Sequence, residues 1–307
     1  MNSFLAGIGA KLAERWATLL VLPGLIYLFA GTVAGVLGHR HALNVSWLAS
    51  WIDRMAAEPV SASMGAILLV SAGVLSASAV AGLLASVLGR ALEWAWHRPE
   101  GRRLSRFLTG RRRARWDRED ARITRELAAS VPSGRSTVRL PPAAVAALGR
   151  RDAVSLEPPA GPTWIGDRFR ALTVRVRRAY ALDLLAVWPR LWLLLPDPPR
   201  AEITAVQDSH AAAARLGGWA LLYLILGAIW WPALLAAVVL GLTSWYRARS
   251  TAEVLAALIE AAVDLHACDL AAQLGLSDGG PVTRGLGRSI AELIEKSPET
   301  RLDQHSG

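Results

Sequence analysis

The chain has 307 residues but only one cysteine, Cys268, so an intramolecular disulfide cannot form. Lysine is nearly absent, because only Lys11 and Lys296 accompany arginine among the 34 basic residues. With the high alanine content, this preference for arginine is typical of a high-GC bacterial genome. Walker loops, dinucleotide-binding glycine motifs, zincin helices and kinase signatures are also missing from the sequence. We therefore expect a protein that is not an enzyme and needs no cofactor.

Charged side chains are absent from three long apolar stretches, 17–38, 63–89 and 216–246. A membrane-spanning helix needs about 20 apolar residues, because each backbone N–H and C=O in hydrocarbon must be bonded within the helix. The first two stretches meet that length. The third is long for one span and short for two, and Trp230, Trp231 and Pro232 lie at its midpoint. Paired tryptophans prefer the membrane interface and proline suits a helix start, so we predict a hairpin of two short spans.

The distribution of charge predicts the orientation in the membrane. Of the 34 basic residues, 24 lie between positions 90 and 215, whereas the loop 39–62 carries only Arg40 and Arg54. The positive-inside rule then makes 90–215 cytoplasmic and 39–62 external. Residues 1–16 form an amphipathic lead without a signal-peptide cleavage site, so we expect the first span to remain as an anchor. Lys11 and Arg15 before the first span and Arg247 and Arg249 after the last agree with four spans and with both termini on the cytoplasmic side of the bacterial inner membrane.

The predicted fold is an all-α integral membrane protein with four transmembrane helices. Helices 1 and 2 occupy 17–89, and helices 3 and 4 form the hairpin 216–246. A basic, mostly helical cytoplasmic segment, 90–215, is inserted between spans 2 and 3, and cytoplasmic helices and a tail occupy 247–307. The net charge of +9 agrees with this topology and with attraction to anionic lipid better than with nucleic-acid binding.

The first part of the cytoplasmic segment, 99–129, has the pattern of a basic amphipathic helix. We assign Arg111, Arg112 and Arg113 to lipid headgroups, and a solvated helix packed on its own domain is the alternative. Nucleic acid is disfavoured because no aromatic stacking platform accompanies these arginines. Many prolines follow, which favours a flexible linker over 130–162 rather than short strands at 138–140 and 153–156 around a helical turn.

The next part predicts an amphipathic helix over 165–180, followed by an apolar segment near 181–195. Asp183 and Arg190 within that segment argue against a true span, and an interfacial or re-entrant helix fits better. If it did span, the downstream topology would invert. The residues assigned to membrane interfaces are Trp188, Arg190, Trp192, Trp230 and Trp231. Beyond it we expect one helix from 200 into the third span, a helix over 251–274, a break at 277–281 and a short helix over 288–296.

Three segments carry a resemblance: Pro-Thr-Trp-Ile-Gly-Asp at 162–167, Arg-Ala-Tyr-Ala-Leu-Asp at 178–183 and Trp-Pro-Arg-Leu-Trp at 188–192. They resemble a motif series of uncharacterised actinobacterial membrane proteins with four spans, over 162–274. The chain departs from that series at Ala181, where glycine is expected after the tyrosine, which weakens the case for a tight turn. The resemblance implies a membrane protein and supplies neither an activity nor a site.

Small residues at helical spacing characterise the first two spans, and such residues let helix backbones approach closely. They indicate packing within one four-helix unit or, alternatively, self-association with serines along a narrow polar path. The positions are Gly31, Gly35, Ser71, Ser78, Gly82 and Ser86. Asp264, His266, Cys268 and Asp269 contain metal-capable atoms, but helical geometry divides them between two faces, so we expect no metal site.

Two functions agree with these features. The first is a homo-oligomeric inner-membrane protein that forms a channel or perturbs the membrane, as effectors of bacterial defence systems do. The second is a membrane anchor or scaffold that recruits a soluble partner through its cytoplasmic helices. An enzyme acting on lipid through Asp183 or Arg190 is a third, weaker hypothesis, because the sequence offers no nucleophile and base pair.

Overall fold

The computed structural model of the chain describes residues 21–56, 64–97, 103–130, 141–276, 280 and 282–295. All regular secondary structure in these ranges is helical, which confirms the all-α prediction. Helices α1 to α10 are Leu22–Leu37, Val45–Ala56, Met64–His97, Arg103–Ser130, Pro142–Val154, Trp164–Tyr180, Leu184–Leu194, Asp197–Leu226, Pro232–Gln273 and Arg284–Glu295. The predicted lead 1–16, the start of the first span, the alternative strand 138–140, most of the break 277–281 and the tail from 296 lie outside the described residues.

The chain folds into two compact units, each built from two separate segments. Unit 1 comprises Met1–Trp94 and Ala211–Ala248, and unit 2 comprises Ala95–His210 and Arg249–Gly307. All three apolar stretches of the sequence belong to unit 1. Helices α3, α8 and α9 contribute residues to both units.

In unit 1, the break between α8 and α9 lies where the sequence places it. Helix α8 ends at Leu226, the turn ends at Trp231, and α9 begins at Pro232. The fixed φ of proline suits the first position of a helix, where a missing N–H costs no hydrogen bond. The turn is closed by the Trp230 amide, which donates to the Leu226 carbonyl over 3.0 Å. The predicted break at Trp230 to Pro232 is confirmed.

In unit 2, helix α6 confirms the prediction for 165–180. The Thr163 hydroxyl caps its N-terminus by accepting from the Gly166 amide at 3.1 Å, and the apolar face of α6 is buried. That face packs with α7, α10 and the C-terminal part of α9 around one core. Its fully buried large side chains include Leu172, Val176, Leu182, Leu191, Val263 and Ile290.

Several element predictions are corrected. The linker predicted for 130–162 is wrong over part of its length, because Pro142–Val154 is a helix whose Ala144 and Ala147 are buried. This helix includes the helical turn of the alternative prediction, 143–148, but 153–156 is not a strand. The segment 39–62, which the sequence predicts to be an external loop, contains the helix Val45–Ala56. Residues 251–274 are not a separate helix, because α9 continues without interruption from Pro232 to Gln273.

The segment 181–195 begins with a tight turn, although the sequence made one doubtful. Ala181 has φ of 57° and lies in the left-handed region that glycine prefers. Its amide donates to the Arg177 carbonyl at 2.9 Å. The Asp183 carboxylate then caps α7 by accepting from the Leu185 amide at 3.0 Å. A carboxylate is a preferred cap, so this aspartate has a structural role.

Candidate functional site

Unit 1 exposes large apolar side chains on each of its described helices. In α3, only 17% of the most apolar window is buried. The exposed fraction is 76% for Leu69 in α3, 70% for Phe29 in α1 and 66% for Leu242 in α9. Soluble monomers rarely expose large contiguous apolar patches, so a surface of this kind marks contact with a membrane or another protein. This surface is the largest feature of the chain that calls for a functional explanation.

Within the described residues, α3 is the only helix that is both long and apolar enough to cross a bilayer. Its 34 residues extend about 51 Å, which exceeds the hydrocarbon thickness of about 30 Å. The described parts of α1 and α7 are apolar but shorter. In α8 and α9, the turn divides the apolar stretch 216–246, and the remainder of each helix carries charged residues.

Glycines join α3 and α8 at close range. A Cβ added at Gly218 would overlap the carbonyl of Ala85, and one at Gly89 would lie 2.8 Å from the Ala214 carbonyl. The two backbones therefore touch, and only residues without a side chain fit there. The sequence pattern had not predicted a role for these glycines. A Gly-Gly pair inside an apolar stretch, opposite the small-residue face of α3, could have indicated this close contact.

Among the predicted small residues, Ser78 connects two parts of unit 1, whereas Ser86 bonds within its own helix. The Ser78 side chain is buried and its hydroxyl donates to the Val21 carbonyl at 2.5 Å, while a Cβ at Gly24 would overlap Ser78. The Ser86 hydroxyl donates to the Gly82 carbonyl of its own helix at 2.9 Å. Both hydroxyl groups therefore donate to backbone carbonyls within the chain.

The other predicted small residues do not pack against described residues. A Cβ added at Gly31 or Gly35 would meet no atom within 4 Å, and Ser71 is exposed. The structure therefore does not bring the six predicted positions together into one site. Gly35 and Ser71 instead belong to the exposed surface of unit 1, and Gly31 is half-buried.

The hairpin turn is attached to the segment that follows α1. The Trp230 indole donates to the Ala42 carbonyl at 3.0 Å, and the His39 ring contacts the Ile229 carbonyl. Trp230 is half-buried by this contact, whereas Trp231 is exposed. The two tryptophans assigned to an interface therefore differ, because Trp230 fixes the turn and Trp231 faces outward.

Unit 2 contains a buried carboxylate, Asp167, which is 1% exposed. It accepts from Arg112 at 2.5 Å and from the amides of Ala160 and Gly161 at 3.0 and 2.9 Å. Arg112 also donates to the Val154 carbonyl at 2.8 Å. The Arg112–Asp167 ion pair thus joins α4 and α6, and the hydrogen bond from Arg112 to Val154 adds the end of α5. Hydrogen bonds between charged groups are stronger than those between neutral groups.

These contacts correct the assignment of Arg112 to a lipid headgroup, and they leave the assignments of Arg111 and Arg113 as predictions. Arg112 does not face a membrane, because its side chain is only 19% exposed and its hydrogen bonds are internal. Arg111 and Arg113 are exposed, and the Arg111 guanidinium lies 5.8 Å from the centroid of the Phe107 ring. The Trp116 indole donates to the Ser155 carbonyl at 2.9 Å, which fastens the same helix to the end of α5. The alternative prediction, a helix packed on its own domain, describes α4 better.

Helix α7 combines a buried and an exposed apolar face. The rings of Trp188 and Trp192 are half-buried with centroids 5.8 Å apart, and they pack against core residues of unit 2. Arg190 donates to the Ala186 carbonyl within its own helix at 2.7 Å. On the other face, Leu185 and Leu193 are each 78% exposed. The leucines, more than the predicted aromatic residues, form the free surface of this helix.

Arg168 is a buried cation that the sequence analysis missed. Its side chain is 8% exposed, and Nε and Nη1 have no hydrogen-bond partner among the described residues. Burial lowers the pKa of the Arg168 guanidinium, and the carboxylates of Glu260 and Glu253 oppose that shift. Its charge is therefore balanced by α9 at longer range rather than by a direct ion pair.

Near the end of α9, the side chains that could bind a metal ion make separate contacts. The Tyr180 hydroxyl donates to Asp264 at 2.8 Å, and this hydrogen bond raises the pKa of the Tyr180 phenol. His266 lies 2.9 Å from Asp269. Among the residues that the structure describes, no group of three His, Cys, Asp or Glu side chains could hold a metal ion.

The chain matches no protein-family model, no curated protein and no solved structure.

Proposed function

We propose that this protein is a multi-pass protein of the bacterial cytoplasmic membrane, with unit 1 crossing the bilayer four times and unit 2 in the cytoplasm. The observation that carries the proposal is the exposed apolar surface on each described helix of unit 1. In water that surface would be strongly unfavourable, at about 25 cal/mol for each Å² of apolar area. The basic residues of 90–215 support the cytoplasmic placement of unit 2.

Within that topology, we propose a role without catalysis: unit 1 anchors unit 2, which recruits a soluble partner. The prominent polar groups of unit 2 serve its own fold, since Asp167 joins three elements and Asp183 caps a helix. The exposed leucines of α7, Leu185 and Leu193, offer an apolar contact surface of the kind that amphipathic partner helices use.

A second candidate is the homo-oligomeric channel or membrane-perturbing effector. It is favoured by Gly31, Gly35 and Gly73, beside which no described residue lies within 4 Å of an added Cβ, because small residues with open space can admit a helix of a second copy. The pore would then lie between copies, since Ser78 and Ser86 bond to carbonyls inside the chain. A scaffold with several binding sites for its partner would also form oligomers, so oligomer formation alone does not distinguish the two candidates.

Cysteine labelling tests the topology. In a background with Cys268→Ser, Ala49→Cys in α2 and Ala128→Cys in α4 introduce exposed thiols. A membrane-impermeant maleimide should label Ala49→Cys in intact cells and Ala128→Cys only after permeabilisation. Labelling of Ala128→Cys in intact cells would refute the proposed orientation.

Ion flux from liposomes, with the oligomer mass measured on the same preparation, tests the role. The anchor predicts no flux and a stoichiometric soluble partner on purification from cells. Flux from an oligomer of defined mass would overturn the anchor in favour of the channel.

A further inference from the structure

An apolar groove of about 510 Å³ lies within unit 1 among α1, α8 and α9. One face of α8 forms its floor with Trp219 and Tyr223, and small residues leave the space open, among them Ala212 and Ala236. The Tyr27 ring packs edge-on against Tyr223 with centroids 5.3 Å apart, which fixes the end of this floor. The groove is therefore a formed feature of the unit.

One cation, Arg215, lies among the described lining residues of the groove, and no described lining residue is acidic. Its side chain is half-buried, and it makes no hydrogen bond or ion pair with the residues that the structure describes. A partly buried charge without a partner is unfavourable unless a ligand supplies the opposite charge. The charge of the groove therefore complements an anion.

The position of Arg215 matches the depth of a lipid headgroup. It directly precedes the apolar stretch 216–246, and in the proposed topology this is the cytoplasmic end of the third span. From Arg215 to Tyr223 the helix rises about 12 Å, close to the roughly 15 Å of one leaflet. A phosphate at Arg215 would place an acyl chain along the apolar floor.

We propose that this groove is a specific site for an anionic phospholipid of the inner leaflet, with the phosphate bound by Arg215 and one acyl chain against Trp219 and Tyr223. The inference rests on the proposed membrane placement of unit 1. The chain's own segment 1–16 is a poorer candidate occupant of the groove. Its two basic residues, Lys11 and Arg15, outnumber its one acidic residue, Glu14, so it does not supply the negative charge that Arg215 lacks. A zwitterionic lipid would leave the charge of the groove only partly matched.

Native mass spectrometry of the full chain in detergent tests the site, with phosphatidylglycerol and phosphatidylcholine added in separate titrations. One phosphatidylglycerol should remain bound per chain under conditions that remove phosphatidylcholine. Arg215→Gln should weaken phosphatidylglycerol binding about tenfold, because it removes a charged hydrogen-bond donor. The matched control is Arg90→Gln, which removes the same charge from an exposed arginine that does not line the groove.

A second variant, Ala236→Trp, fills the groove without changing its charge and should also reduce lipid retention. Equal effects of Arg215→Gln and Arg90→Gln, or equal retention of the two lipids, would overturn the site. Flotation of the same preparations with liposomes tests the membrane placement of unit 1 separately from the lipid site. Failure to float would refute the membrane placement, whereas flotation with equal effects of the two arginine variants would refute the lipid site alone.

Discussion

Replacing Asp167 by alanine tests whether the buried ion pair organises unit 2. Asp167→Ala removes the only carboxylate within 4.0 Å of Arg112 in the described residues. Arg112 stays half-buried, and its two remaining partners are the carbonyls of Gly161 and Val154. Removing one partner of a buried pair leaves an uncompensated charge, which costs about 3 to 5 kcal/mol.

The lower end of that range applies here, because 19% of the Arg112 side chain reaches solvent and water can reach the freed amide of the exposed Ala160. A loss of about 3 kcal/mol should lower the Tm by about 6 to 12 °C in a domain of this size. Near-UV circular dichroism of the full chain in detergent follows the packing of its aromatic residues, including Trp116, Trp164, Trp188 and Trp192 of unit 2, during this transition.

Glu157→Ala provides the control for Asp167→Ala. Glu157 pairs with Arg178 at 3.1 Å, but the Arg178 side chain is 66% exposed, so its loss should cost no more than about 1 kcal/mol. Adding Arg112→Met to Asp167→Ala should recover part of the stability, because the orphan charge is then removed. Equal shifts in Tm for Asp167→Ala and Glu157→Ala would refute the reasoning.

Three further predictions concern backbone contacts and pH. Gly218→Ala should reduce the resistance of the chain to unfolding in sodium dodecyl sulphate, because its Cβ overlaps a carbonyl of α3. Gly241→Ala, with its nearest atom at 3.8 Å, should not reduce it. Ala181→Gly should raise the free energy of unfolding by about 1 kcal/mol by relieving the left-handed conformation, and a decrease would refute that account. The Tyr180 phenol should titrate above its ordinary value of 10.0, and Asp264→Asn should lower its pKa in a titration by NMR of labelled tyrosine. Because the pKa of Tyr180 is raised in the folded state, its contribution to stability is complete below the unfolded pKa and is lost as the pH rises through the folded one.

The features that the sequence predicted correctly depend on neighbours along the chain. The helix over 165–180 follows from helical periodicity, and the break at Trp230 to Pro232 follows from the preference of proline for a helix start. The glycine expected at 181 was wrongly treated as necessary for a turn. Tertiary contacts around the buried Leu182 override the local preference of alanine there.

The features that the sequence analysis missed depend on partners far away in the chain. Arg112 looks like one of three equivalent arginines, yet its partners lie 55 residues away at Asp167 and 42 residues away at Val154. The prolines around α5 predict a linker from local sequence alone, whereas the surface that stabilises this helix belongs to α4. The lining of the groove likewise comes from three helices, and periodicity within one helix does not reveal it.

Unit 1 buries a few large side chains, such as Trp219 and Leu222, but it exposes many more, and its closest helix contacts are made by small residues. This contrast with unit 2 supports different solvents for the two units. In unit 2, large residues such as Leu172 and Leu191 are fully buried, as the hydrophobic effect in water requires. In unit 1, closely packed positions such as Gly218 and Ser78 are small, and large residues such as Leu69 face outward. Helices in lipid gain no hydrophobic free energy by burying leucine, so close contact between small residues becomes the main source of association. The arrangement in unit 1 therefore agrees with the placement of that unit in hydrocarbon that we propose.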